Sequence, residues 1–412
     1  VADDLGYPLH RAKPAYDVVV FYPHAILPQM DGAQARAGEM LDRLTAELPS
    51  VALYSFDNDP QHPWTAQKKA LFAQRWPQID LVTEPWPKSV KYLSYLKKIM
   101  LGVFPFKAGK ILSLKIKGRM PEFERIREAS PTFIINYQKG LCELNGVDPA
   151  QCFVETLDLH FLKMAKVHHK SPFSAGSLLK LRAELGAYNE SKGLFAISPI
   201  EATFFRMLLP EVPTYFISSW TLPPPYRRPA MVREADFDLI FVGSAYQMNA
   251  RGLCALYETD GGWLSRYRVA VCGKVCDDPA VIALAGRFET ITLLGYVEDL
   301  DDVLRRARAA LSPVSGTGVK MKILAAIRAG LPVLASRASM EGLAAGYEGA
   351  VLEIGEDACR RLLGDAAAYE TARQAAVAYG TAHALAGESD AAITAIKRAV
   401  QKLPLEMVVE HQ

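Results

Sequence analysis

The sequence has no C-x-x-C pair among its six cysteines, which stand at positions 142, 152, 254, 272, 276 and 359. Neither a zinc ribbon nor a disulfide framework can be read from that spacing, and a reducing compartment is expected. No apolar run approaches the ~20 residues that span a bilayer. The opening stretch, VADDLGYPLHRAKP, has no apolar core of a signal peptide. Excess charge is also missing: 47 Lys plus Arg stand against 45 Asp plus Glu, a formal net charge of +2, which argues against nucleic acid as a partner. No repeat of solenoid period is visible. His168-His169 and the pair Cys272/Cys276 lack companions at metal-ligand spacing, so no metal site is expected.

What is present is a chain of 412 residues, longer than the ~250–300 at which single cores stop growing. Two domains are therefore expected. Short β-branched or apolar runs such as DVVVFY (17–22), TFIIN (132–136), DLIFVG (238–243) and RVAVCG (268–273) alternate with amphipathic stretches, the mark of successive βα units on parallel sheets. This pattern occurs twice, on either side of a Pro-rich stretch that can continue neither helix nor inner strand. The spacing predicts an α/β protein of two doubly wound, Rossmann-like domains facing across a cleft. Their bounds are 1–218 and 237–385, with a linker at 219–236 and a C-terminal helix, 386–412, that packs back on the first domain. Ligands of such sheets bind at the carboxyl ends of the strands.

The strongest local signal is SPVSGTGVKMKILAAIRAGLPVLAS, residues 312–336. A strand ends at Val314, the loop Ser315-Gly316-Thr317-Gly318 follows, and a helix is expected from about Val319 with Lys320 and Lys322 in its first turn. Glycines let backbone amides approach a ligand, and a helix N-terminus favours a phosphate or pyrophosphate. Lysines in a first turn oppose the macrodipole unless an anion sits there. The G-x-x-x-x-G-K-[ST] P-loop is absent.

These blocks together carry a resemblance. From DLIFVGSAYQMNARGL through VAVCGKV, TLLGYVEDLDDVLRRARAALSPV and GTGVKMKILAAIRAGLPVLAS to EGL, the second half resembles the donor domain of family-4-like, group 1 glycosyltransferases of the GT-B fold. PHAILPQMDGAQAR (23–36) resembles that family's first acceptor-side loop, VETLDLHFLKM (154–164) its D-x-H-D-x-H-F-x-R segment, and Glu201 stands where a Ser-x-x-Glu turn is frequent. The resemblance implies transfer of a sugar from a nucleotide-sugar co-substrate, with no other cofactor and no metal. It implies donor contacts from Gly243, Ser244, Arg251, Lys274, Tyr296, Ser315, Gly316, Thr317, Gly318, Val319, Lys320 and Lys322, and acceptor-side contacts from Gln34 and Arg36. It also exposes a departure. Two glutamates usual beside the loop, the second of which binds the nucleotide ribose, fall here on Thr317 and Ala325. A ribose hydroxyl left less well satisfied is worth ~1–3 kcal/mol if buried, which leaves open a deoxyribose donor, another ribose ligand, or altered activity.

On the acceptor side, Asp158-Leu159-His160 follows the run CFVETL and should project into the cleft. A carboxylate or imidazole there could take the proton from an attacking hydroxyl, with Glu155 a weaker alternative; equally, Asp158 could cap a turn. From Lys88 to Arg119 the chain carries eight lysines, one arginine and no acid, interleaved with aromatic and aliphatic residues. Such a segment suits an anionic membrane surface or a lipid-linked acceptor, or a solvated helix pair packed on the domain. The expected protein is thus a cytoplasmic glycosyltransferase, peripheral at the inner face of the membrane, acting on a glycan or glycolipid of a bacterial surface polysaccharide. A nucleotide-sugar 2-epimerase of the same fold and a non-catalytic partner subunit remain alternative readings.

Overall fold

The β-branched and aromatic runs assemble into two parallel sheets in the computed structural model, which describes residues 16–60, 62–129, 131–221, 235–315 and 318–403. The centre of the expected linker, 222–234, lies outside the described residues, as do Gly316 and Thr317. The first sheet contains β1 (Val18–Phe21), β2 (Val51–Phe56), β3 (Ile79–Glu84), β4 (Thr132–Asn136), β5 (Cys152–Glu155), β6 (Gly193–Ala196) and β7 (Thr214–Phe216), in the order β3-β2-β1-β4-β5-β6-β7. The second contains β8 (Phe237–Val242), β9 (Val269–Cys272), β10 (Ile291–Gly295), β11 (Ala307–Ser312), β12 (Val333–Ala335) and β13 (Val351–Glu353), in the order β10-β9-β8-β11-β12-β13.

Helices cover both faces of each sheet, so the central strands are apolar along their whole length and do not alternate. Val18, Val19, Val20 and Phe21 of β1 are all buried, and Val20 pairs with Leu53 on one side and Ile134 on the other. In both sheets the strand order reverses between the first strand and its neighbour, at β1/β4 and β8/β11. Loops leaving those strands diverge there and open a crevice at the carboxyl edge.

The chain returns to the first domain at its end. Helix Ala366–Leu385 packs on the second domain through Ala372, Ala376 and Tyr379, and helix Ser389–Val400 then buries Ala392, Ile393, Ile396 and Ala399 in the core of the first sheet beside Ile217 and Trp220. Each buried isoleucine contributes ~1.5–3 kcal/mol of transfer free energy. At the crossing, Glu388 accepts from the Phe216 amide at 2.7 Å and from Arg206 at 2.7 Å.

Two local readings need correction. The helix after the Gly-rich loop spans Met321–Arg328, with Lys320 as its N-cap residue, so it starts two residues later than its pattern suggests. Lys97, counted among the cations of 88–119, is fully buried and donates to the carbonyls of Leu112 (2.8 Å) and Leu144 (3.0 Å). It closes the ends of two helices and faces no solvent.

Candidate active site

On the first domain, the site begins where β5 ends. Leu157 takes a left-handed conformation (φ 56) and the Asp158 amide bonds back to Thr156 at 2.7 Å, a tight turn that lifts the chain off the sheet. A non-glycine residue in that region is held there only by its surroundings. The turn leaves Asp158 partly exposed, with Oδ2 accepting from Lys163 at 2.7 Å. Lys163 comes from the helix His160–Val167 and lies over the ring of Tyr137, itself left-handed at the start of the helix after β4. Burial would lower the Lys163 ammonium, but Tyr137 and Asp158 raise it above its ordinary value.

The start of that helix is capped from a distance: the amides of His160 and Phe161 donate to the two carboxylate oxygens of Glu184, each at 3.0 Å. Glu184, and not Asp158, therefore caps this helix. Burial, followed by the fields of Lys163, Lys180, Lys98 and Lys139, pushes the His160 imidazole down to about 4, so it is neutral at physiological pH. Burial raises Glu184 to about 7 against its two backbone donors.

A third carboxyl belongs to helix Pro199–Leu208. Ser198 accepts from the Glu201 amide at 3.1 Å and Pro199 occupies the first helical position, both strong helix-start signals. The Glu201 side chain is buried, its Oε2 has no hydrogen-bond partner among the described residues, and burial followed by the Asp158 charge pushes it up to about 8.

The second domain supplies the opposite wall. Gly318, in the loop after β11, has φ 70, and a Cβ built there would lie 2.4 Å from Asp158 Oδ1 and 3.5 Å from Glu201 Oε1. The loop after β11 thus touches the carboxyls of the first domain. Behind it Ser339 Oγ donates to the Val314 carbonyl at 2.6 Å, and Gly342 backs onto the Gly318–Val319 peptide. Lys320 donates to the Gly318 carbonyl at 2.7 Å, and burial lowers it to about 8 while Asp158 and Glu341 oppose that shift. Among the described residues no side chain caps the helix that begins at Met321, and Gly32, at the start of helix Gly32–Glu47, comes against the Met321 side chain across the cleft. The start of the helix at Met321 therefore brings its partial positive charge to this crevice, whereas the start of helix Gly32–Glu47 is already capped by Asp31, which accepts from the Gln34 amide at 2.8 Å. Two ion pairs, Lys166–Glu341 and Arg328–Glu39, the latter at 2.9 Å, also span it.

The remaining expected donor residues divide. Gly243 packs its Cα against Val275, while Gly273, with φ 97, passes so close that a Cβ would meet the Gly243 carbonyl at 2.4 Å, so these glycines serve the crossing of two backbones. Ser244 accepts from Asn249 Nδ2, through its carbonyl at 3.1 Å and its hydroxyl at 3.2 Å. Ser315, Arg251 and Tyr296 are exposed, Lys274 pairs with Asp277 at 3.3 Å, and Val319 is buried. Lys322 turns inward to Asn249 and to the Phe241 ring.

Gln34 and Arg36 do not open to an acceptor. Gln34 is buried, donating to the Ala25 carbonyl at 3.0 Å and accepting from the Met30 amide at 2.7 Å, which ties down the loop 25–34. Arg36 is fully buried and its Nε donates to Glu155, which also accepts from Trp220 Nε1 at 3.1 Å. Glu155 is thereby a core ion-pair partner, not a base. Sequence reasoning passed over Tyr137, Lys163, Glu184 and Asn249. The F-x-R position on which Lys163 falls was the one available signal.

Residues 236–365 match the family model described as glycosyl transferases group 1. They are a group 1 glycosyltransferase domain. The whole architecture is the GT-B fold, similar to that of sucrose-phosphate synthase from Thermosynechococcus elongatus (14% identity, TM-score 0.56, covering 94% of this chain and 97% of that one). It is similar also to Anabaena Alr3699/HepE in complex with UDP and glucose (12% identity, TM-score 0.56, covering 94% and 100%). A third likeness is to a mutant of S. aureus TarM in complex with fondaparinux, alpha-GlcNAc-glycerol and UDP (8% identity, TM-score 0.55, covering 93% and 99%). No curated protein matches the sequence. The group 1 domain contains β8 to β13 and the loop that meets Asp158.

Proposed function

We propose that this chain transfers a sugar from a nucleotide-sugar donor to a glycan or glycolipid acceptor at a membrane surface, with Asp158 serving the acceptor and the loop 315–320 serving the donor. The observation that carries this reading is the meeting of Asp158 with Gly318 and Lys320, opposite walls of one crevice at the carboxyl edges of both sheets. The donor diphosphate would lie against the loop amides, the start of helix Met321–Arg328 and Lys320. Fixed dipoles and cations there stabilise the negative charge that develops on the leaving diphosphate, the role a metal plays elsewhere.

In an inverting transfer the acceptor oxygen bonds to the anomeric carbon as the bond from that carbon to the diphosphate oxygen breaks, and Asp158 takes the hydroxyl proton. Its pairing with Lys163 fixes the carboxylate in place for that step. In a retaining transfer the same carboxylate would orient the donor sugar. His160, neutral at physiological pH, is the rival proton acceptor.

The membrane side of the reading rests on the segment 88–119. Helix Lys88–Val103 leaves Tyr92, Tyr95 and Ile99 exposed, and Phe104 and Phe106 continue that face. Gly102 lets this helix approach helix Ala175–Asn189, whose Leu178 and Leu179 enlarge the patch. Lys98 and Lys107 lie against Tyr95, Phe104 and Phe106, so cations and rings share one surface, as contact with anionic headgroups requires. Among the described residues no helix is long and apolar enough to cross a membrane.

The test is direct. Purified protein, screened by thermal shift against dTDP, UDP, GDP, ADP and CMP, should be stabilised by at least one. The matching sugar nucleotides, supplied with a bacterial membrane extract, should then yield glycosylated product. Failure of every nucleotide to bind at millimolar concentration would refute the transferase reading.

A further inference from the structure

Lys322 is in an unusual place for a cation. Its Nζ donates to Asn249 Oδ1 at 2.7 Å and lies 4.4 Å from the centre of the Phe241 ring. Among the described residues no carboxylate pairs with it. Asn249 is itself buried near the start of helix Gln247–Leu264, and both its Nδ2 bonds go to Ser244, so its Oδ1 can only face the lysine. The amide therefore connects two of the loops expected at the donor: Ser244 after β8, and the first turn of the helix beginning at Met321. An ammonium desolvated without a counter-ion is unstable in its charged form. An incoming anion reverses that balance.

Resting on the donor-site reading above, we infer that Asn249 is a positioning residue that holds Lys322 toward the donor diphosphate, and that Lys322 takes up a proton as the diphosphate binds. Burial lowers Lys322 to about 7, and the one charged neighbour among the described residues whose field reaches it, Lys320 at the N-cap of the same helix, pushes in the same direction. From helix Gln247–Leu264 the group facing it is the neutral Asn249, and from β8 the Phe241 ring. At pH ~8 a lysine with a value of about 7 is about nine-tenths unprotonated. A dianionic phosphate beside it would restore the proton. Lys320, at about 8, would add about half a proton.

The experiment is titration calorimetry of the full chain with UDP and with inorganic pyrophosphate at pH ~8, in buffers of different ionisation enthalpy, which reads the number of protons exchanged. The wild type should take up more than one proton per UDP. Lys322→Met should lose about nine-tenths of a proton and weaken binding about tenfold. Asn249→Asp places a carboxylate beside the lysine, so it should protonate the empty site and abolish most of the uptake while Lys322 remains. Asn249→Leu should weaken binding several-fold, and a thermal melt reports whether that variant is folded. A purely structural amide would not alter proton counts. Binding with uptake below about 0.3 protons, or with uptake unchanged in both Lys322→Met and Asn249→Asp, would overturn the inference and leave the donor site standing. Absence of binding by both UDP and pyrophosphate would overturn the donor site and the inference with it.

Discussion

Replacing Gly318 by Ala should weaken both the fold and the transfer, for two separable reasons. The left-handed backbone of Gly318, with φ 70, costs a residue with a side chain ~1–2 kcal/mol. The new Cβ would then lie 2.4 Å from Asp158 Oδ1, about 1 Å inside ordinary van der Waals contact. Asp158 cannot simply swing aside, because Lys163 holds its other oxygen at 2.7 Å. Either that pair breaks or the two domains part by about 1 Å, and a misplacement of that size costs on the order of 10²-fold in rate. The strain alone should lower Tm by ~2–8 °C. The assay is a melt and a turnover measurement of Gly318→Ala in two backgrounds, wild type and Asp158→Ala. In the second, the steric part disappears and only backbone strain remains, so the loss in Tm should shrink. An equal loss of Tm in both backgrounds, together with wild-type turnover for Gly318→Ala, would refute the contact across the cleft.

Four further outcomes are expected. Asp158→Asn should lower turnover ~10²–10⁴-fold with nucleotide affinity retained; near-normal turnover in both Asp158→Asn and His160→Ala would move the base elsewhere. Flotation with anionic vesicles should recover the protein at low salt and lose it as salt screens the charges, and equal recovery with neutral vesicles would remove the electrostatic part of the membrane reading. Ala325 cannot bind a ribose hydroxyl, so dTDP should stabilise the protein at least as well as UDP or GDP, whereas a clear preference for UDP or GDP would mean that another group has replaced the missing glutamate. Glu201, raised to about 8 from an ordinary 4.5, binds more protons folded than unfolded between those values, so its contribution to stability falls as pH rises through that window. Glu201→Gln should therefore gain in Tm relative to wild type from pH ~5 to pH ~8, and a difference independent of pH would show that the carboxyl is not desolvated.

The fold was legible because parallel strands covered on both faces leave uninterrupted apolar runs, and all thirteen strands lie within a few residues of such a run. The positions of Asp158 and of the loop after β11 behind strand ends were legible for a related reason, since β5 and β11 end at the carboxyl edges of their sheets; the roles proposed for them are left to the experiments above. Gln34 and Arg36 were expected from the resemblance of 23–36 to an acceptor-side loop, and a likeness of sequence does not tell whether a polar side chain faces the cleft or is buried with a partner 119 residues away, as Arg36 is with Glu155. Lys163, Glu184 and Asn249 escaped notice through the same blindness: each acts through a contact made in three dimensions, from a helix whose local pattern is ordinary.

The distribution of charge across the crevice bears on the proposed donor site. The second domain offers Lys320, Lys322 and a helix N-terminus, while the first offers Asp158, Glu201 and, behind them, Glu184. On the proposed reading a diphosphate attracted to the first set would lie opposite the second, and two like charges ~5 Å apart at an effective dielectric of ~20 repel by ~3 kcal/mol. Were all three carboxyls ionised, donor binding would work against itself. Burial prevents that: with Glu201 at about 8 and Glu184 at about 7, much of the acidic wall is uncharged near neutral pH. Asp158 lies on a turn open to the cleft and pairs with Lys163. The same low dielectric that favours neutral Glu201 also favours neutral Lys322. Both walls therefore carry less charge than their residue types suggest, and on the proposed reading a bound diphosphate would draw charge onto the lysines beside it.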